Sequence, residues 1–150
     1  MGLATITALP EASMITIETA TMKFAKRVFG IAGVYGILVL LPQYFMEGTV
    51  STDNPPPITH PEYFYGFIGV ALAWQILFLV IARDPIRYRL AMVPSILEKL
   101  AFGGAASVLY WQQRIAFPVL AVSLIDLVFA ALFVAAFRIT ARPAASAEHA

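Results

Sequence analysis

The chain has 150 residues, of which 60% are hydrophobic and 13% charged, and its mean hydropathy is +0.79. A soluble domain carries about 25% charged residues, so this composition excludes an ordinary soluble domain, a disordered chain and a large extramembrane domain. With no cysteine, two histidines and a net charge of +1, the chain also excludes disulfides, thiolate chemistry and nucleic-acid binding through bulk electrostatics, and it argues against an enzyme.

Four apolar segments predict four membrane-spanning helices, because a helix needs about 20 apolar residues to cross a bilayer. The spans are predicted at residues 28–46, 63–82, 94–113 and 117–137. The very short link between the third and fourth spans makes them antiparallel neighbours. The predicted fold class is therefore all-α, an integral membrane four-helix bundle over residues 23–140. Residues 1–22 form an N-terminal tail and residues 141–150 a C-terminal tail.

Glu47 to Glu62 is predicted to form a polar loop between the first and second spans. Thr59-x-x-Glu62 has the spacing of a capping box, and Pro61 suits a first helical turn, so a helix is expected to start there. Asp53, His60 and Glu62 resemble a metal site only weakly, because one histidine with two carboxylates is common by chance. No metal site is predicted, and no pattern typical of catalytic residues occurs.

Basic residues predict the orientation, since cytoplasmic flanks of membrane proteins are enriched in Lys and Arg. With four spans, Arg114 alone falls on one side. The other nine of the ten basic residues fall on the opposite side: Lys23, Lys26, Arg27, Arg83, Arg87, Arg89, Lys99, Arg138 and Arg142. Both termini are therefore expected in the cytoplasm, with the polar loop outside.

Small residues recur along each span and predict close helix packing, which drives association in lipid. The predicted packing positions are Gly30, Gly33 and Gly36 in the first span, Gly66, Gly69 and Ala73 in the second, Gly103 with Ser107 in the third, and Ala131 with Ala135 in the fourth.

Four polar residues interrupt the apolar spans, and together they are named the polar cluster: Gln75, Glu98, Lys99 and Asp126. Ionisable groups at membrane depth are costly unless they are paired or hydrated. One hypothesis buries Asp126 with Lys99 and Gln75, as a structural clasp or as a proton- or ligand-binding site. The other leaves Glu98 and Lys99 at the membrane surface, with Lys99 extending to the headgroups and Glu98 pairing with an arginine.

A basic turn follows the second span, formed by Arg83, Asp84, Arg87 and Arg89. The stretch from Pro61 to Thr140, with HPEYFYGFIGVALAWQILFLVIARDPIRYR, SILEKLAFG and SLIDLVFAALFVAAF, resembles small four-helix bacterial membrane proteins of the broad DoxX-like class. The resemblance rests on Asp84-Pro85, Arg87, Glu98-Lys99 and Asp126. It implies a four-helix fold in a bacterial inner membrane and, loosely, quinone or respiratory chemistry.

Two functions are compatible with these features. The first is a non-enzymatic accessory or structural subunit of a larger membrane complex, respiratory or photosynthetic. The second is a stand-alone homo-oligomeric carrier, or a protein that binds a small ligand or quinone at Asp126 and Lys99. A quinone-linked oxidoreductase is disfavoured by the missing cysteine and sparse histidine. The expected partners are membrane lipids and other membrane subunits or a second copy. No motif encodes a cofactor, and contact with lipid, quinone or pigment fits the composition.

Overall fold

The computed structural model describes residues 11–53 and 55–141, with side chains from residue 20 onward, and no β-strand occurs in these ranges. Four of its helices are long and apolar enough to cross a membrane, which confirms the predicted all-α fold with four candidate spans. The elements in chain order are α1 (Glu11–Leu40), a 3-10 helix (Leu41–Phe45), α2 (Glu47–Asp53), α3 (Pro61–Arg83), a 3-10 turn (Arg89–Ala91), α4 (Met92–Trp111) and α5 (Phe117–Ile139).

Two predicted irregular segments contain helix. α1 begins at Glu11, inside the predicted N-terminal tail, because no Gly or Pro interrupts the chain between Glu11 and Phe29. It ends at Leu40, where Pro42 lacks the N–H that would continue the α-helical ladder. The predicted polar loop contains the short helix α2. Residues 1–10 and 142–150 of the predicted tails, with Arg142, lie outside the described residues.

α3 begins at Pro61, as predicted, but without the predicted capping box. Its N-cap is His60, which makes no side-chain cap hydrogen bond. Glu62 Oε1 lies 3.0 Å from His60 Nδ1, so the carboxylate is engaged by the histidine and does not reach back to Thr59. A proline in the first turn, which needs no N–H partner there, therefore starts this helix.

The four long helices pack as two antiparallel pairs, α1 with α3 and α4 with α5, and the pairs meet where α1 contacts α5. Glycines allow the close approach within each pair. A Cβ on Gly33 would lie 2.9 Å from the Gln75 carbonyl oxygen, and one on Gly103 would lie 3.1 Å from the Ser123 carbonyl oxygen. α3 and α4 make few contacts with each other, although they are consecutive, so the bundle is open between them.

Three predicted packing positions lie outside the helix interfaces. Ala73 is exposed, because the buried face of α3 passes through Ala71 and Gln75 instead. Gly66 is exposed, and a Cβ there would meet nothing within 4 Å. Ala131 is also exposed, because the buried face of α5 passes through Ala130 and Phe133 instead. The spacing of small residues identified the glycine contacts of α1 and α4 but did not determine which side of α3 and α5 faces the bundle.

The bundle is tightly packed at the end that carries the basic turn. Phe29, Phe78 and Phe133, from α1, α3 and α5, are each 0% exposed. The Phe29 and Phe133 rings stack at 4.0 Å between centroids, and Phe78 meets Phe133 edge-on at 5.1 Å. Such aromatic pairs contribute about 0.5–1.5 kcal/mol beyond the area they bury. This aromatic core closes one end of the bundle.

Arg89 joins the basic turn to the end of α5. Its Nε and one terminal guanidinium nitrogen donate hydrogen bonds to the Phe137 carbonyl oxygen at 3.1 and 3.0 Å, and its guanidinium lies 3.8 Å from the centre of the Phe137 ring. A cation is favourable at a helix C-terminus, where carbonyl groups lack helical partners. This residue of the predicted basic turn therefore caps α5, whereas Arg83 and Arg87 are exposed.

Candidate functional site

A cavity of about 460 Å³ lies between the helices beyond the aromatic core. It is formed by the C-terminal half of α1 and the 3-10 helix that follows it, the middle of α3 and of α4, and the N-terminal half of α5. Most of its wall is apolar, including Phe67, Phe102, Val119 and Val122, and all four residues of the polar cluster also line it. Along the axis of the bundle, the interior therefore changes from the packed aromatic core to this cavity.

The strongest polar contact in the cavity joins α4 to α5. Lys99 Nζ donates a hydrogen bond to Asp126 Oδ1 at 2.9 Å, and the two side chains are 7% and 15% exposed. Gly103, one turn after Lys99 on the same face of α4, lets α4 approach α5 closely enough for this contact. Lys99 therefore does not extend to the headgroups, and the hypothesis that placed it at the membrane surface is wrong in that respect.

Glu98 lies beside this ion pair and does not pair with an arginine. Its Oε2 is 3.5 Å from Lys99 Nζ, a longer ionic contact than the one between Lys99 and Asp126, and its side chain is 17% exposed. The arginines of the basic turn lie elsewhere, with Arg89 engaged at Phe137. Adjacent helical residues diverge by about 100°, but the Lys99 side chain is long enough to bring its ammonium near both carboxylates.

Gln75 is the residue of the polar cluster that α3 contributes to the cavity wall. Its side chain is 1% exposed, and its Nε2 donates to the Ala71 carbonyl oxygen at 3.0 Å. Its Oε1 lies against Gly36 of α1 and accepts no hydrogen bond within the described part of the chain. A Cβ at Gly36 would collide with this amide, so the glycine makes room for Gln75.

The polar cluster lies where the cavity meets the aromatic core. Lys99 Nζ is 5.3 Å from the centre of the Phe78 ring, one of the three core phenylalanines. An ammonium at this distance from an aromatic face is stabilised by the ring quadrupole. The ion pair is therefore bounded by aromatic packing on one side and by the cavity on the other.

A second space opens beside the cavity, between α3 and α4, and is named the α3–α4 groove. It has a volume of about 430 Å³ and is lined on its outer part by Val70, Trp74, Pro94 and Leu97. The cavity and the groove share four lining residues: Phe67, Ala71, Glu98 and Phe102. The rings of Phe67 and Phe102 are 6.0 Å apart and stand between the two spaces, on opposite helices.

The aromatic residues of this wall were not singled out in the sequence analysis. Phe67 and Phe102 are exposed apolar residues of membrane helices, like many others in the chain, and only their position opposite each other marks them. Gly36 was noted in the first span for packing, and its contact with Gln75 is an additional role. Among the side chains described, from residue 20 onward, no three His, Asp or Glu come together as a metal site, and Asp53 is exposed in α2.

Comparison of the chain with protein-family models, with curated proteins and with solved structures finds no match. The resemblance to DoxX-like proteins therefore stays a prediction.

Proposed function

We propose that this chain is a multi-pass membrane protein that binds a small membrane-soluble molecule in the cavity, with the polar end of that molecule against the polar cluster. The observation that carries the proposal is a cavity of about 460 Å³ with a buried ion pair in its wall. Small-molecule sites in helical bundles are mostly apolar, with a few polar groups that fix the orientation of the ligand.

The ion pair supports binding better than it supports a purely structural clasp. Removing two charges from water costs several kcal/mol per ion, and apolar residues of similar size hold helices together at least as well. A clasp would also be enclosed by packing, whereas Lys99 and Asp126 both line an open space. Charged groups inside a membrane bundle commonly mark ligand or ion sites.

The α3–α4 groove supports a ligand that comes from the bilayer. It adjoins the cavity through four shared residues, and its outer wall is apolar, with Leu97 65% exposed on α4. A molecule dissolved in lipid would reach Glu98 along this groove without crossing the polar surface of the membrane.

Small molecules extracted from the purified protein test this proposal. The Val122→Phe substitution places a phenyl ring inside the cavity. The Val128→Phe substitution adds the same ring at an exposed position of α5 that does not line the cavity. We expect a lipophilic compound, measured by mass spectrometry of the organic extract, in the wild type and in Val128→Phe but not in Val122→Phe. Equal amounts of extracted compound in all three proteins would contradict ligand binding in the cavity.

A second candidate function is the accessory subunit of a larger membrane complex. It is favoured by the small size of the connections between the spans, which comprise residues 46–60, 84–88 and 112–116 and leave no room for a folded extramembrane domain. Blue-native electrophoresis of native membranes tests it. Migration at the mass of a larger complex is expected for a subunit, and migration only at the mass of a monomer or small oligomer would reject it.

The proposed location is a bacterial inner membrane, with both ends of the chain in the cytoplasm. Lys99 is paired with Asp126 inside the bundle and is therefore not counted toward the orientation. Eight basic residues remain on the proposed cytoplasmic side, and Arg114 lies on the other. Because the chain has no cysteine, single substitutions test the orientation cleanly. A membrane-impermeant maleimide is expected to label Thr49→Cys in intact cells and Ala141→Cys only after lysis. The reverse labelling pattern would contradict this orientation.

A further inference from the structure

The acidic and basic side chains that line the cavity are unequal in number. Among the described residues of its wall, Glu98 and Asp126 contribute two carboxylates, and Lys99 contributes one ammonium. The Lys99 ammonium is committed to Asp126 at 2.9 Å and lies 3.5 Å from Glu98. With all three groups ionised, the wall carries one negative charge in excess, on the side chain of Glu98.

The polar cluster also contains more hydrogen-bond acceptors than donors. Glu98 Oε2 and Gln75 Oε1 are both buried acceptors that receive no hydrogen bond within the described residues. Gln75 Oε1 presents no accessible surface and lies against Gly36, so neither water nor a ligand in the cavity reaches it. A buried acceptor without a donor costs about 1–3 kcal/mol. Glu98 is therefore the acceptor that a ligand can reach, and the count of charges indicates that the donor it lacks is cationic.

Building on the proposed ligand site, we infer that the ligand is a lipophilic amine bound as its ammonium ion. Its apolar part lies among Phe67, Phe102 and Val122, and its ammonium lies at the carboxylate of Glu98, whose side chain is 17% exposed. A primary ammonium supplies the positive charge that the wall lacks together with N–H donors for the carboxylate, whereas a hydroxyl supplies one donor and no charge. The phenylalanine rings near Glu98 also favour a cation, through their negative faces.

An anionic ligand does not fit this wall. It would have to attract Lys99, which Asp126 already holds, and it would add a third negative charge beside two carboxylates in a medium of low dielectric constant. A carbonyl-bearing ligand offers only acceptors and would leave Glu98 without a donor. The residue that selects the ligand is therefore Glu98, and Lys99 keeps Asp126 neutralised.

Three probes of equal chain length separate these possibilities: decylammonium, decanol and decanoate, each with a terminal bromine that quenches tryptophan fluorescence. Trp74 lines the α3–α4 groove, and Trp111→Phe leaves it as the only tryptophan. In this background we expect decylammonium to bind at least about tenfold more tightly than decanol, as a charged hydrogen bond predicts. Decanoate is expected to bind most weakly.

Glu98→Gln keeps the size of the side chain and removes its charge, so it should abolish the preference for decylammonium. The matched control is Glu62→Gln, a carboxylate at the exposed start of α3, which should retain the preference. Equal binding of decylammonium and decanol, or a preference that persists in Glu98→Gln, would overturn the inference. Loss of quenching by decanol in Val122→Phe but not in Val128→Phe shows separately that the cavity binds probes. The same quenching in both valine variants would instead reject the proposed function.

Discussion

Lys99 of α4 lies 2.9 Å from Asp126 of α5, at the level where the aromatic core gives way to the cavity. Asp126 has no basic residue within two turns on α5, so its charge is compensated only when α4 lies beside α5. Glu98 stands close enough to share the ammonium, at 3.5 Å. The site therefore holds its charges asymmetrically, with one cation between two carboxylates.

Because one cation serves two carboxylates, replacing Lys99 should lower the unfolding free energy more than replacing Asp126. Lys99→Met leaves two carboxylates without a cation and should cost about 3–5 kcal/mol of unfolding free energy, as for a broken buried pair. Asp126→Asn leaves Lys99 with Glu98 and should cost less, about 1–2 kcal/mol. Denaturation by SDS in mixed micelles measures both. Lys26→Met, at an exposed position on α1, is the control. Equal stabilities for Lys99→Met and wild type would show that the pair does not stabilise the bundle.

The glycine contacts predict a second difference. Gly103→Ala places a Cβ 3.1 Å from the Ser123 carbonyl oxygen and against Leu127, so α4 must move away from α5, at a cost of about 1–3 kcal/mol. Gly66→Ala meets nothing within 4 Å, and in a helix it should stabilise by up to about 1 kcal/mol. The same SDS titration compares the two variants. A destabilising Gly66→Ala would indicate that Gly66 packs against another molecule.

The sequence predicted the four spans well because their signal is local. Length and hydropathy placed the second and fourth spans within two residues of α3 and α5 at both ends. The first helix was harder to delimit, since residues 11–22 are too polar to be recognised as a span, yet contain no residue that stops a helix. Hydropathy identifies the part of a helix that crosses lipid, and it does not identify how far the helix extends beyond.

The polar cluster could be located from sequence but not arranged. The cost of charge in lipid identified Gln75, Glu98, Lys99 and Asp126, and left open which of them meet. That depends on the rotation of each helix, which the packing of Gly36 against Gln75 and Gly103 against Ser123 determines. Ala131 and Gly66 were wrongly predicted to pack for the same reason, since a small residue contacts another helix only if it lies on the face directed toward the bundle. The cavity itself has no sequence signal, because it results from the few contacts between α3 and α4.

The link between α4 and α5 predicts a stabilising substitution. Gln113 has a positive φ of 58°, and the N–H groups of Gln113 and Arg114 donate to the carbonyl oxygens of Tyr110 and Leu109, the pattern of a Schellman motif. Glycine adopts this conformation without the cost of about 1–2 kcal/mol that other residues meet. Gln113→Gly should therefore raise the unfolding free energy by about 1 kcal/mol. Gln112→Gly, whose φ is −77°, should not raise it and serves as the control.

The last prediction concerns the way into the cavity. Phe67 and Phe102 face each other across the α3–α4 groove at 6.0 Å, so a cross-link between cysteines at these positions should block the path from the bilayer to Glu98. In the cysteine-free chain, a short bifunctional reagent on Phe67→Cys/Phe102→Cys should slow the binding of radiolabelled decylammonium to the purified protein several-fold, measured by rapid filtration.

The control for this cross-link is another aromatic pair that bridges two helices. The rings of Tyr110 and Phe117 are 6.3 Å apart, at the junction of α4 and α5, and neither residue lines the groove. Cross-linking Tyr110→Cys/Phe117→Cys imposes a similar restraint on the bundle and should leave the association rate unchanged, because it does not narrow the α3–α4 groove. Equal slowing by both cross-links would attribute the effect to a stiffer bundle and would exclude entry between α3 and α4.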